Sequence, residues 1–253
     1  MNTLAVVMDR PEALALRTLA LPEAGEDDAV IDVEWSGIST GTERLLWSGR
    51  MPPFPGMGYP LVPGYESVGR VVAAGSGAGV PVGARVFVPG ANCYGEVRGL
   101  FGGASRRVVV PGRRVTPVDE ALGEQAVLLA LAATAYHAVA CGGRRATIEP
   151  PELIVGHGVL GRLLARLNVA AGYGDRTVVW ERDAQRRGGA RGYTVLDPDD
   201  DPRRDYRCIV DVSGDAALLD ALIARLAPGG EVVLAGFYPE RVAFAFPPAF
   251  MKE

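Results

Sequence analysis

The sequence predicts an α/β chain in two parts, a β-rich first half followed by a doubly wound parallel sheet. Three observations predict it. Short β-favouring runs punctuated by Pro and Gly fill the first half, a Pro-free stretch rich in alanine and leucine begins near residue 120, and apolar strands then alternate with helical stretches in a βαβ rhythm. The 253 residues suit one large or two ordinary domains. An apolar content of 48% with a formal net charge of −4 is ordinary for a globular chain able to bury a full core.

Residues 3–8, 13–19 and 29–35 ("TLAVVM", "ALALRTL", "AVIDVEW") read as strands, separated by the turn-rich acidic segments "DRPE" and "PEAGEDD". "VGRVVAAG", "ARVFVPG" and "RRVVVPG" continue the pattern, each ending on glycine. "DEALGEQAVLLALAATAYHAVACGG" then predicts a helix stopped by the paired glycines Gly142 and Gly143, and the domain boundary is placed at its start, giving domains 1–120 and 121–253. Beyond it come "ELIVG", the helical "VLGRLLARLNVAAG", "TVVWE", "YTVLD", "RCIVDVSG", the helical "DAALLDALIARLAPGG" and "EVVLAGF".

Composition also excludes classes of function. Of 26 basic residues 25 are arginine, and they fall in pairs such as Arg106-Arg107, Arg113-Arg114, Arg144-Arg145 and Arg203-Arg204 rather than in one stripe, so no nucleic-acid footprint is expected. Cys93, Cys141 and Cys208 are widely spaced, without a CxxC pattern, which supports neither a disulfide framework nor a four-cysteine zinc site and favours a reducing, cytoplasmic setting. The N-terminus lacks the features of a signal peptide, and no run approaches the roughly 20 apolar residues that span a bilayer, so any membrane association is expected to be peripheral.

Gly156-His157-Gly158-Val159-Leu160-Gly161 is a GxGxxG placed after a strand and at the opening of a helix. The first glycine permits a tight turn, the second lets backbone approach a pyrophosphate, and the third lets helix and strand pack closely. The helix N-terminus adds unpaired N–H groups for the phosphates. Glu181 ends the next strand, 25 residues after Gly156, where a carboxylate can accept bonds from both ribose hydroxyls and repel a 2′-phosphate. NAD is thus favoured over NADP, although Arg182 beside it can tolerate the phosphate; Asp183 reads as a solvated helix-start residue. His157 is expected near the pyrophosphate.

This order of parts, with "SGIS" at 36–39, "PGYE" at 63–66 and "VGARV" at 82–86, resembles the medium-chain dehydrogenase/reductase superfamily across the whole chain. The resemblance implies a GroES-like catalytic domain ahead of a Rossmann domain. "SGISTGTERLLWSGRMPPFPGMGYPLVPGYE", "FVPGANCYGEVRGLFGGA", "LIVGHGVLGRLLARL" and "RLAPGGEVVLAGFYPER…FAFPPAFM" are similar to the hydroxyethyl-(bacterio)chlorophyllide a dehydrogenases of bacteriochlorophyll biosynthesis. That resemblance implies oxidation of the hydroxyethyl substituent of a chlorin or bacteriochlorin to an acetyl group, with hydride passing to NAD. Relatives continue past "FPPAFMKE" with a sixth Rossmann strand and a return to the catalytic domain, so a C-terminal truncation is expected.

The resemblance also frames the chemistry. Zinc-dependent members carry metal ligands where this sequence has Ser39, Tyr65 and Ala130, none of which suits zinc, so no catalytic metal is expected. Without a Lewis acid, a base or a hydroxyl relay must take the alcohol proton. Tyr65 and Glu66 are the leading candidates, followed by the hydroxyls of Ser39, Thr40 and Thr42, and by His137 in "TAYHAV"; Glu43 and Arg44 read as solvated or paired residues at a helix start, and Tyr136 as core. Trp47, Met51, Phe54, Met57 and Tyr59, spaced by prolines, form an expected wall for a flat macrocycle, with Arg50 to meet a propionate. The partners implied are therefore a chlorophyllide-type macrocycle and no nucleic acid, with homo-oligomerisation left open. Two other readings stand beside this one: a zinc-free quinone or alkene reductase using NAD(P)H, and an inactive nucleotide- or pigment-binding chain.

Overall fold

In the structure, a computed structural model that describes residues 1–140 and 150–253, the apolar runs of the first half become strands. These are β1 (Asn2–Arg10), β2 (Ala13–Ala20), β3 (Asp28–Ser36), β4 (Leu61–Val62), β5 (Ser67–Ala74), β6 (Arg85–Val88), β7 (Arg98–Gly99), β8 (Arg107–Pro111) and β9 (Thr116–Pro117). They form a four-stranded sheet in the order β2-β1-β4-β7 and a five-stranded sheet in the order β8-β3-β5-β6-β9. Along β1, Thr3, Ala5 and Val7 are buried while Leu4 between them is exposed, the period-2 signature of a half-buried strand. Val7, Ile31, Val71, Val86 and Val108 join the same core. A short helix α1 (Thr42–Trp47) packs Leu46 into a second cluster with Met8, Met51, Leu61 and Leu100.

The stretch expected to be one long helix from residue 119 begins instead as 3₁₀ turns over Glu120–Leu128. Gly123 breaks it, with φ 51° and ψ −140°, a conformation that costs glycine little. Ala126 packs against Val68 and Phe87, which ties these turns to the first sheet pair. The two compact units accordingly part at Ala130 and Leu131, later than the 120/121 division read from composition. Helix α2 (Leu129–Ala140) follows; the expected stop at Gly142 and Gly143, together with Cys141 and the Arg144-Arg145 pair, lies outside the described residues. The stretch Glu120–Ala140, 21 residues broken at Gly123, is by length and composition alone apolar enough to cross a bilayer, with a mean hydropathy of 1.2 over an 18-residue window.

The second unit contains β10 (Leu153–Val155), α3 (Val159–Ala170), β11 (Val178–Trp180), β12 (Thr194–Leu196), β13 (Tyr206–Asp211), α4 (Leu219–Arg225), β14 (Leu226–Leu234) and α5 (Phe246–Phe250). All strands run parallel in the order β12-β11-β10-β13-β14, a doubly wound sheet whose order reverses between β10 and β13. The strands read as unbroken apolar runs because both faces are covered. Ile154, Val179 and Val210 meet Leu164 and Ala165 of α3 on one face, while Leu153, Ile209 and Tyr206 meet Leu222 of α4 on the other. The helix expected to run through "LAPGG" ends at Arg225, three residues before Pro228. β14 absorbs that segment as an irregularity, its register shifting opposite Tyr206 and Cys208 where Gly229 takes φ +68°.

A buried carboxylate locks this sheet. Asp201, 4% exposed, accepts hydrogen bonds from Trp180 Nε1 on β11 at 2.7 Å, from the Tyr206 hydroxyl on β13 at 2.6 Å and from the Arg203 backbone at 2.9 Å. Arg225 of α4 stacks its guanidinium 4.9 Å from the Trp180 ring centre and faces Asp201. Burial pushes the Asp201 carboxyl up, but the donors around it win and hold it below its ordinary value. Its folded pKa is therefore depressed, so its contribution is present above the unfolded value and is lost as pH falls through the folded one. Asp201→Ala should cost about 3 kcal/mol or more in urea unfolding near neutral pH, because two buried donors lose their acceptor. The gap between variant and wild type should close as the pH is lowered.

Candidate active site and nucleotide loop

In the first unit the site grows from the buried segment that leaves β4. Gly64 adopts φ +96°, a turn no β-branched residue would enter, and aims Tyr65 and Glu66 in succession. The end of β3 closes on them: the Gly37 N–H donates to the Glu66 carbonyl at 2.7 Å, and a Cβ on Gly37 would fall 2.3 Å from Glu66 Oε2. Gly37 is therefore a glycine because the carboxylate occupies its side-chain space. Helix α1 then starts directly beneath, with the Glu43 N–H bonded to the Ser39 carbonyl at 3.0 Å.

These turns bring Ser39, Thr42, Glu43, Tyr65 and Glu66 together. The Tyr65 hydroxyl lies 3.4 Å from Thr42 Oγ1, and its ring packs edge-on to Phe101 with centres 5.5 Å apart. Burial pushes the Tyr65 phenol up, against the pull of the Ser39 and Thr42 hydroxyls, so it keeps its proton and can donate it. Burial likewise raises Glu66, which is 4% exposed and has Oε1 buried without a hydrogen-bond partner. Glu43 is the residue the sequence misjudged. It is not a solvated helix-start residue: it is 7% exposed, its Oε2 is buried without a hydrogen-bond partner, and burial, reinforced by the Glu66 charge, pushes it up to about 7.

A cavity of about 710 Å³ opens beside this cluster, lined chiefly by apolar side chains that include Leu14, Leu16, Ile38 and Trp47, with Glu43 and Arg106 among its polar groups. Thr40 lines it as well. Of the expected macrocycle wall, only Trp47 faces this space. Met51, Met57 and Tyr59 pack instead on the Leu46 cluster, with the Tyr59 hydroxyl donating to the Leu46 carbonyl, and Arg50 and Phe54 are exposed. The exposed leucines of β2 were legible in the alternation of "ALALRTL" but read as an ordinary strand.

Zinc would not find its ligands here. Ser39, Tyr65 and Ala130 present a hydroxyl, a phenol and a methyl group rather than thiolate or imidazole, and among the described residues no three His, Cys, Asp or Glu side chains gather as a metal site.

In the second unit the glycine loop joins β10 to α3 at the point where the strand order reverses. Gly156 takes φ +104°. A Cβ on Gly161 would lie 1.8 Å from the Gly156 carbonyl, whereas a Cβ on Gly158, the N-cap of α3, would meet nothing within 4 Å. The third glycine thus serves packing and the second leaves room for a ligand. Val159 and Leu160 begin the helix, Val159 exposed and Leu160 turned partly into the core. Glu181 follows β11, its Oε2 accepting the His157 N–H at 3.1 Å and its Oε1 the Asp183 N–H at 3.0 Å. A carboxylate offers about four acceptor positions, so two remain for a ribose.

His157 itself departs from expectation. Its ring is 1% exposed, with Nδ1 2.7 Å from the Arg186 carbonyl and Nε2 2.8 Å from the Tyr193 hydroxyl. The carbonyl can only accept, so Nδ1 carries the proton and Nε2 accepts from Tyr193. Burial lowers the His157 pKa, which keeps the ring neutral. Its side chain is a strut from the glycine loop to the segment around Arg186 and Tyr193. His137 lies exposed on α2 in the second unit, as does Tyr136, which is therefore not core.

The Alcohol dehydrogenase GroES-like domain family matches residues 25–120. The chain is 57% identical over 258 residues to the 2-desacetyl-2-hydroxyethyl bacteriochlorophyllide A dehydrogenase of Cereibacter sphaeroides, covering 100% of this chain and 80% of that protein. Its similarity to the Rhodobacter capsulatus protein of the same name is 58% over 254 residues, covering 100% and 79%. Among solved structures, a putative zinc-binding dehydrogenase from Sinorhizobium meliloti bound to NADP matches with TM-score 0.81 at 24% identity, covering 100% of this chain and 82% of that one. The 2R,3R-butanediol dehydrogenase of Bacillus subtilis matches with TM-score 0.81 at 21% identity, covering 99% and 82%. These two likenesses carry the fold.

The two glycines of the loop can be separated experimentally. Gly161→Ala should fail to fold or lose several kcal/mol of stability, since its Cβ meets backbone. Gly158→Ala should unfold like wild type yet bind a dinucleotide about tenfold or more weakly, measured by calorimetry.

Proposed function

The chain belongs to the family of the 2-desacetyl-2-hydroxyethyl bacteriochlorophyllide A dehydrogenases, and on that premise we propose that it oxidises the hydroxyethyl substituent of a (bacterio)chlorophyllide a to an acetyl group, with NAD as hydride acceptor. The observation that carries this reading is the identity to both relatives along the full length of the chain. A role in bacteriochlorophyll biosynthesis, in the cytoplasm and without zinc, belongs to the same proposal.

Each unit has a part in it. Bound NAD supplies the hydride acceptor. The backbone of Gly156 to Gly161 and the N-terminus of α3 would hold its pyrophosphate, and the free acceptor positions of Glu181 would take the ribose hydroxyls. Those same positions would repel a 2′-phosphate, which favours NAD. In the first unit, Tyr65 would donate its hydrogen bond to the substrate oxygen where zinc-dependent relatives use a metal. The Ser39 and Thr42 hydroxyls beside Tyr65, with Glu66 and Thr40 nearby in the chain, would orient that oxygen or move its proton. Trp47 and the apolar cavity beside it offer surface to a flat macrocycle.

Purified protein given hydroxyethyl chlorophyllide and NAD should produce the acetyl product, seen by its spectral shift, and should do so after strong chelation. NADP should serve poorly, and Glu181→Ala should narrow the difference. No product with either cofactor would remove this reading. Tyr65→Phe should lower kcat by about 10²-fold while changing KM far less, because the lost donor matters most as charge develops on the oxygen.

A further inference from the structure

We infer that Arg106 anchors the carboxylate of the substrate, so that the protein selects a macrocycle bearing a free propionate over the same pigment esterified. This rests on the proposed alcohol oxidation in the cavity beside Tyr65 and assigns a specificity determinant to that site. Consecutive residues of an extended chain point to opposite faces, and the Arg106-Arg107 pair divides in that way. Arg107, the first residue of β8, turns to Asp32 of β3, which accepts from its Nε and, at 2.8 Å, from its Nη2. Arg106 lines the apolar cavity instead. Its backbone is fixed there, the N–H donating to the Leu4 carbonyl at 2.8 Å and the carbonyl accepting from the Val33 N–H at 2.9 Å. Its side chain is exposed, and among the described residues no carboxylate lies within ion-pair distance of it.

The position of Arg106 along the cavity matters. Leu4, Val6 and Met8 of β1 line the cavity in succession, a span of about 13 Å at the rise of a strand. The turn that carries Tyr65 joins this floor at Val6: the Ala104 carbonyl accepts from the Val6 N–H at 2.9 Å, and the Ala104 N–H donates to the Pro63 carbonyl at 2.9 Å. Arg106 joins it one strand repeat farther on, at Leu4. A macrocycle with its alcohol at Tyr65 therefore has Arg106 toward another part of its edge. The apolar lining suits the faces of such a ring but offers nothing to a charge, and a carboxylate buried without a partner is strongly unfavourable. The planar fork of a guanidinium matches a carboxylate with two parallel hydrogen bonds.

The other charged groups nearby are already engaged or wrongly placed. Glu34 lines the cavity too, but Arg85 Nε holds it at 3.0 Å and Arg70 Nε at 3.4 Å. At Asp32 the Arg107 hydrogen bond is the chief influence lowering the carboxyl, and the Arg106 charge is the least. Glu43 is pushed up to about 7 by burial, reinforced by the Glu66 charge, so a second carboxylate is unwelcome beside it. Arg44, the other arginine of the lining, follows Glu43 directly and stands two residues from Thr42, at the reacting end. Arg50 does not line the cavity. Arg106 is left as the cation that a carboxylate can reach away from the chemistry.

The free acid and the methyl ester of one hydroxyethyl chlorophyllide separate the carboxylate from the ring. Wild type should oxidise the acid with a KM about tenfold or more below that for the ester, at similar kcat, because the ester loses a charge-assisted pair and leaves the reacting end unchanged. Arg106→Gln should abolish this preference, Arg106→Lys should keep part of it and Arg50→Gln should keep all of it. Raising the ionic strength should weaken the preference in wild type and have no such effect in Arg106→Gln. A second readout needs no turnover. Trp47 lines the cavity, so quenching of tryptophan fluorescence by the two pigments should give dissociation constants in the same ratio, and Arg106→Gln should lose that ratio with an unchanged denaturation midpoint. An Arg106→Gln protein that prefers the acid as wild type does overturns the inference, as does a wild type that binds acid and ester equally. Absence of the acetyl product from wild type overturns the functional reading instead, and the binding comparison still decides whether Arg106 holds the carboxylate.

Discussion

The first unit depends on carrying a stretch of backbone, residues 61 to 67, through its interior. Leu61, Val62 and Ser67 are wholly buried, so every polar group of the stretch needs a partner inside the protein. The glycine-rich loop after β7 provides them. The N–H groups of Leu100 and Gly102 both donate to the Val62 carbonyl, Gly103 donates to that of Gly64 and Ala104 to that of Pro63, while the Ser67 hydroxyl donates to the Gly103 carbonyl at 2.8 Å. Such close backbone approach tolerates no side chains: a Cβ on Gly102 would sit 1.7 Å from the Ala91 carbonyl, and one on Gly103 would sit 2.4 Å from Ser67 Oγ. Tyr65 and Glu66 owe their positions to this clamp. Rigid support of this kind is what a site acting by hydrogen bonding requires, since a donor displaced by an ångström loses most of its effect.

The second unit solves a parallel problem with one residue type, glycine, and one buried charge, Asp201. Glycine lets α3 sit directly on the loop that precedes it, and Asp201 ties together β11, β13 and α4 on the opposite face. The strand that ends in Glu181 is therefore fixed at its own tryptophan. His157 adds a third tie, from the loop to the segment around Arg186 and Tyr193.

Much of this was legible in the sequence, for reasons that differ by element. The six strands read from the first half and the five from the second all form, because alternation and unbroken apolar runs answer directly to burial on one face or two. Helix ends were less legible: "LAPGG" looks like a helix terminus, yet Leu226 is needed on β14 opposite Tyr206, and that tertiary pairing overrides the local signal. The zinc-poor character of "PGYE" and "SGIS" was visible as residue types. Glu43 was not, because a glutamate in the first turn of a helix is normally welcome in water near the positive helix end. Only the fold shows that the first turn of α1 points inward. The packing of the His157 ring was no more legible, since a motif fixes the path of its backbone and leaves the side chain free to find partners elsewhere.

On the proposed reading, the chemistry follows from what would stand in for a metal. A zinc ion stabilises an alkoxide by charge and lets the proton leave early; a tyrosine that retains its proton can only share it, so the proton must find an acceptor while hydride departs. An exposed carboxylate would hold its ordinary acidity and accept poorly at neutral pH. Burial changes this, because taking each carboxylate out of water raises both Glu43 and Glu66, and the Glu66 charge adds to the rise at Glu43. The cost is borne by the fold, which must keep Glu43 and Glu66 dry. The clamp on residues 61 to 67 and the glycine at position 37 are the structural means by which it does so, and they tie the acidity of the site to the same backbone contacts that position Tyr65.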